Sequence, residues 1–560
     1  MMNKLKNVKT RDEFADLINV PKQKLTYILY KKVENLYSSF EIPKKDGSLR
    51  KIDAPMKDLR DIQKKLANLL TVDKRINQEE KGIRLNISHG FERDKSIITN
   101  AKIHRNKRFV FNIDLENFFQ SFHFGRVKGF FEKNQDYKLP SEIATVIAQL
   151  TCYNRTLPQG APTSPIITNL ICNILDMRLL KIAKRYKLDY SRYADDLTFS
   201  TNDKNFLDLK STFYDELNEE IKKAGFRINE QKNRLQFKDS RQTVTGLIVN
   251  KNVNVDRRYY KDTRAMAHSL YKTGSFEIDN EAGTINQLEG RFSFINQIQW
   301  YNNMMDSNNH DFRKLNSREK QYQAFLFYKY FFANNKLTIL TEGKTDIKYL
   351  KSALKKYYNE YPELISRKSN GDFEFKINFL RRTKRLQYFF GLYQDGASPI
   401  KNVYNYFVTG HGENFPNYLE YFQKLSGNNP RKPTVLIFDN EIANKNKPLA
   451  NFANYVKLKE SERALLENEH QIKLLENLFL VTNPLIGEKT ECEIEDLFSK
   501  KVLEHKIGGK SFSREKNADS GKYYGKEIFA NFIVKEYSNI DFTNFKPMLD
   551  NLNNINKNYK

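Results

Sequence analysis

The sequence predicts mixed α/β structure, arranged as successive compact units along one chain. Three observations carry this. A chain of 560 residues is too long for one hydrophobic core, and ordinary domain sizes give roughly three or four units. Apolar side chains recur at helical spacing over 58–70 and 166–185, whereas RFVFNIDL (108–115), LTFS (197–200) and VTGLIVN (244–250) read as strands. The same alternation returns later, with LTIL (337–340), a helix over 346–358 and the apolar strand TVLIF (434–438).

Composition narrows the partners. The chain carries 94 Lys and Arg against 68 Asp and Glu, a net charge of +26, concentrated in the first 330 or so residues. So much like charge opposes compaction unless a polyanion offsets it, and nucleic acid is the leading candidate. Only 39% of residues are hydrophobic, but 41 Phe and 31 Tyr suffice for cores and leave rings to stack on bases, so wholesale disorder is excluded. Three cysteines, Cys152, Cys172 and Cys492, include no C-x-x-C pair. Neither a structural zinc nor a disulfide framework is expected, and a reducing cytoplasm fits. The opening MMNKLKNVKT has no apolar signal core, and no run reaches the roughly 18 apolar residues of a membrane span. A cytoplasmic protein without membrane association is expected.

A polar, Asn-rich stretch over 301–318 passes into an aromatic, helical segment over 320–333, and a domain boundary is expected there. The expected division is 1–318, a connecting helix over 319–335, and 336–560.

The most informative short stretch is Tyr193-Ala194-Asp195-Asp196, ahead of the strand LTFS. Adjacent carboxylates raise each other's pKa unless a cation neutralises them. Asp114 ends the apolar strand before it, and acids at two strand ends can converge on a pair of Mg²⁺ ions. Singly, the acid pair reads equally as a solvated turn, and Asp114 as a surface acid. Between them lies Leu157-Pro158-Gln159-Gly160-Ala161-Pro162-Thr163-Ser164-Pro165, a Pro/Gly-rich loop able to bring backbone close to a base pair, with Gln159 free to hydrogen-bond.

In this order and spacing the residues resemble reverse transcriptases over most of 20–310. The resemblance implies an α+β right-hand polymerase with fingers and palm over about 20–250 and a thumb over about 251–318. It makes Asp114, Asp195 and Asp196 the catalytic, Mg²⁺-binding acids and deoxynucleoside triphosphates the substrates. Phe119 matches the position whose ring excludes a ribose 2′-OH, and Lys45 and Arg50 match the fingers cations that hold triphosphate. From the residues alone, Lys45 and Arg50 are also two solvated charges on a hairpin tip.

Two smaller signatures resemble the retron branch of that family. Asn100-Ala101-Lys102-Ile103-His104 fits N-A-x-x-H, and Val244-Thr245-Gly246 fits V-T-G. This likeness implies that Asn100, His104, Val244, Thr245 and Gly246 engage a cognate structured noncoding RNA. It also implies priming from an internal guanosine 2′-OH of that RNA, to give a branched RNA–DNA product. His104 reads equally as a packed or capping histidine. Downstream, Arg257, Arg258, Lys261 and Arg264 interleave with Tyr259 and Tyr260, suited to gripping RNA through its backbone and shape, or to one packed and one solvated helix face.

In the last part, Glu342-Gly343-Lys344-Thr345-Asp346 follows LTIL and opens a helix. A P-loop would need glycine at 338, where Thr338 stands. Glu342 and the Asp439-Asn440-Glu441 run after TVLIF instead place acids at strand ends. These residues resemble the α/β TOPRIM fold, although its usual D-x-D is here Asp439-Asn440-Glu441. The resemblance implies catalytic, Mg²⁺- or Mn²⁺-binding roles for Glu342, Asp439 and Glu441, a further metal-binding acid at Glu495, and a phosphate contact at Lys526. Glu495 also reads as a solvated helix start. A nuclease is expected, because there is neither a zinc module nor room for a DNA-gating domain. The combined expectation is a retron reverse transcriptase fused to a TOPRIM nuclease that acts as an antiphage effector. Two alternatives remain: another bacterial reverse transcriptase without the branch, and an RNA-scaffold protein with a docking domain.

Overall fold

A computed structural model describes residues 5–31, 36–44, 47–82, 86–305, 311–393, 399–410, 412, 414–515 and 517–559. The chain divides into two compact units, Met1–Arg257 and Arg258–Lys560.

In the first unit the alternation in 108–115 makes strand β3, after a fingers-like hairpin of β1 (Tyr37–Pro43) and β2 (Leu49–Pro55). β3 (Phe109–Asp114) pairs antiparallel with β5 (Asp196–Thr201) and β6 (Arg234–Phe237), and β4 (Asp189–Tyr193) closes the order β4-β5-β3-β6. Phe111, Ile113, Leu197 and Phe199 belong to the same buried cluster as Leu175, Leu179, Phe213 and Leu217. These last four lie on helices α3 (Ser164–Arg185) and α4 (Phe206–Lys223), which follow α1 (Lys57–Glu80) and α2 (Ile97–Ile103). Ser96 caps α2 through a reciprocal capping box with Thr99. The stretch 244–250, expected as one strand, is instead two short strands, β7 (Thr243–Val244) and β8 (Leu247–Ile248). Thr245 at φ 46° and Gly246 at φ 81° make the two-residue turn between them.

In the second unit, β9 (Thr338–Thr341), β10 (Asn378–Phe379), β11 (Thr434–Phe438), β12 (Gln471–Leu475) and β13 (Leu478–Thr482) form a sheet of order β10-β9-β11-β13-β12. All its pairings are parallel except β12 with β13. Every residue of β11 is buried, as expected for a strand covered on both faces.

The division falls at 257/258, upstream of the 301–335 region where the sequence suggests a boundary. Helix α5 (Arg257–Thr273) buries Ala267, Leu270 and Tyr271 in the core cluster that holds Phe325, Tyr328 and Phe422. Tyr328 donates to the Leu270 carbonyl at 3.0 Å. The connecting segment 319–335 is itself core: α6 (Ser317–Phe327) continues as π-helix to Phe332 and buries Tyr322, Phe325, Phe327 and Phe331. Bulky aromatics at these positions exclude a solvated linker. Among the described residues, no helix is long and apolar enough to cross a membrane.

Candidate active sites

The first site is a hairpin turn set against a neighbouring strand. Asp114 is the direct cross-strand partner of Asp196, and the Leu115 amide donates to the Asp195 carbonyl at 3.0 Å. The three acids expected to act together therefore lie at one end of one sheet. Burial first, then the Asp195 and Asp114 charges, pushes the Asp196 carboxyl up to about 7. Asp195 is raised too, chiefly by burial. Lys232 donates to Asp114 Oδ1 at 3.1 Å, and this bond heads the causes that raise the Lys232 ammonium. Oxygen-only donors under mutual repulsion suit a hard divalent cation. Among the described residues, no group of three or more His, Cys, Asp or Glu stands close enough together to hold a metal ion as placed.

The turn is held from behind. Ala194 sits at φ 57°, and an added Cβ at Gly90 would stand 2.6 Å from the Ala194 amide nitrogen. Only glycine at position 90 lets the backbone of that loop lie on the turn. The fully buried Arg192 donates to both carboxylate oxygens of Asp176 at 2.8 Å and to the Ala194 carbonyl at 3.2 Å. Burial would lower the Arg192 pKa, but Asp176 outweighs it and the net shift is upward. Arg192, Asp176, Gly90 and Lys232 were not singled out in the sequence; the charge pair and Lys232 are separated from their partners along the chain and follow no motif.

Phe119 is half-buried against Phe118, with ring centroids 5.5 Å apart. The Gln159 carbonyl accepts from the Asp53 amide at 2.8 Å. An added Cβ at Gly160 (φ +124°) would stand 2.8 Å from the Asp53 carbonyl oxygen, so the Pro/Gly-rich loop docks on β2. Arg50, exposed on β2, is close enough to lower the Asp195 pKa. Lys45 lies outside the described residues.

The V-T-G turn meets the helix that carries most of the other signature: Thr245 Oγ1 donates to the Ile97 carbonyl at 3.5 Å, at the start of α2. Thr245 is half-buried and Gly246 exposed, but Val244 is fully buried. Asn100 and His104 are also fully buried, which corrects the expectation that they touch RNA. The Ser191 hydroxyl donates to Asn100 Oδ1 at 2.6 Å and so accepts from His104 Nε2 at 2.7 Å. Ser200 Oγ lies 2.8 Å from His104 Nδ1. A neutral ring is thus strapped to β4 and β5 and held there by burial, with its pKa lowered to about 3. The packed-histidine reading is the one the structure shows.

Arg257, Arg258, Lys261 and Arg264 are all exposed, on the side of α5 away from buried Thr263, Ala267 and Leu270. Arg264 lies 5.8 Å from the Tyr260 ring centroid.

The second site gathers acids at the ends of parallel strands. Glu342 follows β9, and Asp439 follows β11. Glu342 Oε2 is buried with no hydrogen-bond partner, and burial raises its pKa against the opposing bond from the Asp439 amide. Asp439 Oδ1 accepts from the Ile494 amide at 2.8 Å and from Asn483 at 2.7 Å. Burial, then Asp346 and Glu342, drives the Asp439 pKa well up. Asp346 opens α7 (Asp346–Lys356), accepts from the Gly343 amide at 2.7 Å, and is raised by burial and by Glu495. In sequence, Asp346 has no role beyond opening the helix; its acid at the first helical position is the available signal.

Glu495 is fully buried, not a solvated helix start. Lys526, first residue of α8 (Lys526–Glu536), donates to it at 3.1 Å and to Glu493 at 3.3 Å. Burial would lower the Lys526 pKa, but Glu495 and Glu493 outweigh it. Glu441 is buried and accepts from Lys447 at 2.7 Å, so one of its oxygens is engaged by a cation of the chain. An orphaned carboxylate oxygen among mutually raised acids fits a divalent ion.

The fold and first site define a nucleic-acid polymerase palm, and a family model described as reverse transcriptase (RNA-dependent DNA polymerase) matches residues 42–249. The Retron Ec73 reverse transcriptase of Escherichia coli is 30% identical over 273 residues, covering 46% of this chain and 82% of that protein. The Retron Mx65 reverse transcriptase of Myxococcus xanthus is 30% identical over 277 residues, covering 47% of this chain and 61% of that protein. The chain belongs to the retron reverse transcriptase family. It spans about 60% of the length of the first curated relatives it matches. A solved telomerase from Candida albicans, in complex with a fragment of telomeric RNA, aligns at TM-score 0.31 and 10% identity over 52% of this chain and 60% of that one.

Proposed function

We propose that the chain is an RNA-directed DNA polymerase that copies its own structured noncoding RNA. Synthesis starts from an internal guanosine 2′-OH and yields branched RNA–DNA (msDNA). The observation that carries the polymerase reading is the pairing of Asp114 with Asp196 across β3 and β5, with Asp195 beside it in the turn. Asp195 and Asp196, both raised by burial and by neighbouring charge, call for a cation, and Mg²⁺ is the natural one for this oxygen donor set. When bound, a pair of Mg²⁺ ions activates the attacking hydroxyl and offsets charge on the leaving pyrophosphate. Asp114, Asp195 and Asp196 hold these ions. Arg50 and Lys45 orient the deoxynucleoside triphosphate, Gln159 and its loop support the templating pair, and Phe119 screens the sugar. The Thr245–Gly246 turn contacts the RNA, with Asn100, His104 and Val244 holding that turn from within, and Arg257, Arg258, Lys261 and Arg264 on α5 contact the RNA as well.

In this reading the second unit is a TOPRIM-type, metal-dependent nuclease and the antiphage effector. Its orphaned Glu342 oxygen beside Asp346, Asp439 and Glu495 supports this. Glu342, Asp439, Glu441 and Glu495 hold Mg²⁺ or Mn²⁺, and Lys526 meets phosphate. Sequencing the nucleic acid that copurifies with the full chain tests the retron reading. A covalent 2′–5′ branch joining one RNA to its complementary DNA is expected; varied, unbranched RNA with no attached DNA would exclude it.

A further inference from the structure

We infer that a groove on the second unit, between the 499–508 segment and α8, is a binding track for a single polynucleotide strand. This rests on the reading of that unit as acting on phosphodiesters. The groove encloses about 940 Å³, and Lys501, His505, Lys506, Ile528, Phe532 and Lys535 are among the residues lining it. Lys501, Lys506 and Lys535 are all exposed, and none makes an ion pair or side-chain hydrogen bond among the described residues.

Two acids, Glu536 and Asp541, also line the groove, and their hydrogen-bond donors are neutral groups that do not cancel their charge. Glu536 accepts from Asn539 at 3.1 Å, Asp541 from the Thr543 amide at 2.9 Å and hydroxyl at 2.6 Å, and Glu504 pairs with Lys500 at 3.7 Å. Three unpaired lysines against these two acids leave an excess of positive charge along the groove, which favours a polyanion.

A second feature selects the kind of polyanion. The His505 ring stacks on Phe532 with centroids 4.2 Å apart and planes 10° apart, and His505 is exposed. A supported ring with an open face beside unpaired lysines is the combination that stacks a base while neutralising its phosphate. An acidic peptide would use the lysines and leave the ring idle.

Position ties the groove to the acids. Ile528, Phe532 and Lys535 lie on the outer face of α8, roughly 120–180° around the helix from its first residue, Lys526, which touches Glu495. From Lys526 to Lys535 the helix advances about 13 Å, the reach of about four stacked nucleotides. A strand cut beside Glu342 and Asp439 reaches this face by passing around the start of α8.

The test uses the full chain with Glu342→Gln to prevent cutting, and 20-mers of deoxythymidine or uridine bearing photoreactive bases. After irradiation, adducts are mapped by peptide mass spectrometry. Adducts on 499–508 or 528–535 are expected with one 20-mer or both, and the arm that gives them identifies the sugar. Lys501→Ala, Lys506→Ala and Lys535→Ala together are expected to lower these adducts at least tenfold while leaving those on residues 5–257 unchanged. No adduct on these segments with either 20-mer, or adducts unchanged in the triple variant, overturns the groove. So does occupation by oligoglutamate without an oligonucleotide adduct. Failure of the nuclease reading is seen separately, as groove adducts in a Glu342 chain that cuts neither 20-mer.

Discussion

Arg192 and Asp176 form a buried ion pair directly behind the turn that carries Asp195 and Asp196. Its two parallel hydrogen bonds of 2.8 Å use Nε and Nη2 and leave Nη1 to donate to the Ala194 carbonyl, so one charge pair fixes both α3 and the turn. Tyr190 adds a bond of 3.0 Å to Asp176. Removing one partner leaves the other charge buried and uncompensated, which costs about 3–5 kcal/mol. Asp176→Asn is expected to destabilise the first unit by that order, seen as an earlier transition in denaturant. Arg192→Lys is expected to lose polymerase rate as well, since an ammonium cannot make all three bonds in this geometry.

Gly90 provides a second test of the same turn. With a Cβ 2.6 Å from the Ala194 nitrogen, Gly90→Ala must push the backbone apart at a cost of about 1–3 kcal/mol. Primer extension is expected to slow at least tenfold, with nucleotide KM changed far less than kcat. A variant with normal kcat would show that the turn tolerates displacement.

The buried His104 gives a pH signature. Its pKa is lowered from 6.5 to about 3, so below pH 6.5 the unfolded chain binds a proton that the folded chain does not. Stability therefore falls as pH drops from about 6.5 toward 3, by about 1.4 kcal/mol per unit for this one group. His89, lowered to about 4 chiefly by burial, acts in the same direction. Denaturant titrations between pH 6.5 and 4.5 should show His104→Gln losing roughly one proton's worth of the slope, while any loss at pH 8 is independent of pH.

Glu342 carries the corresponding test for the second unit. Its unpartnered, buried oxygen makes the metal-free site strained, and a neutral amide relieves a charge without changing shape. In chelator, Glu342→Gln is expected to raise the thermal midpoint of the second unit. Added Mg²⁺ or Mn²⁺ is expected to stabilise the parent chain and not the variant. Equal stabilisation of both would remove Glu342 from the ion's shell.

Much of this was legible in sequence where chemistry and local pattern coincide. An acid closing an apolar strand announced Asp114, Glu342 and Asp439, and the strands at 109–114, 196–201 and 434–438 lie within two residues of their expected positions. The rest depends on long-range partners that periodicity does not reveal. Asp176 sits in α3 among apolar residues and looks like an ordinary helix acid until Arg192 meets it. His104 looked equally suited to RNA or to the interior, because its hydroxyl partners Ser191 and Ser200 lie some ninety residues away. The stretch after 257 looked like part of the first unit because its cations suit RNA, whereas Leu270 and Tyr271 commit it to the second unit's core.

The central claim, that Asp114, Asp195 and Asp196 form the centre of an RNA-templated DNA polymerase, is tested most directly by deoxynucleotide incorporation on a primed RNA template, with and without Mg²⁺. The account predicts template-directed extension that needs Mg²⁺, is lost at least a thousandfold in Asp196→Asn, and persists in Glu342→Gln. Templated extension surviving in Asp196→Asn would contradict it.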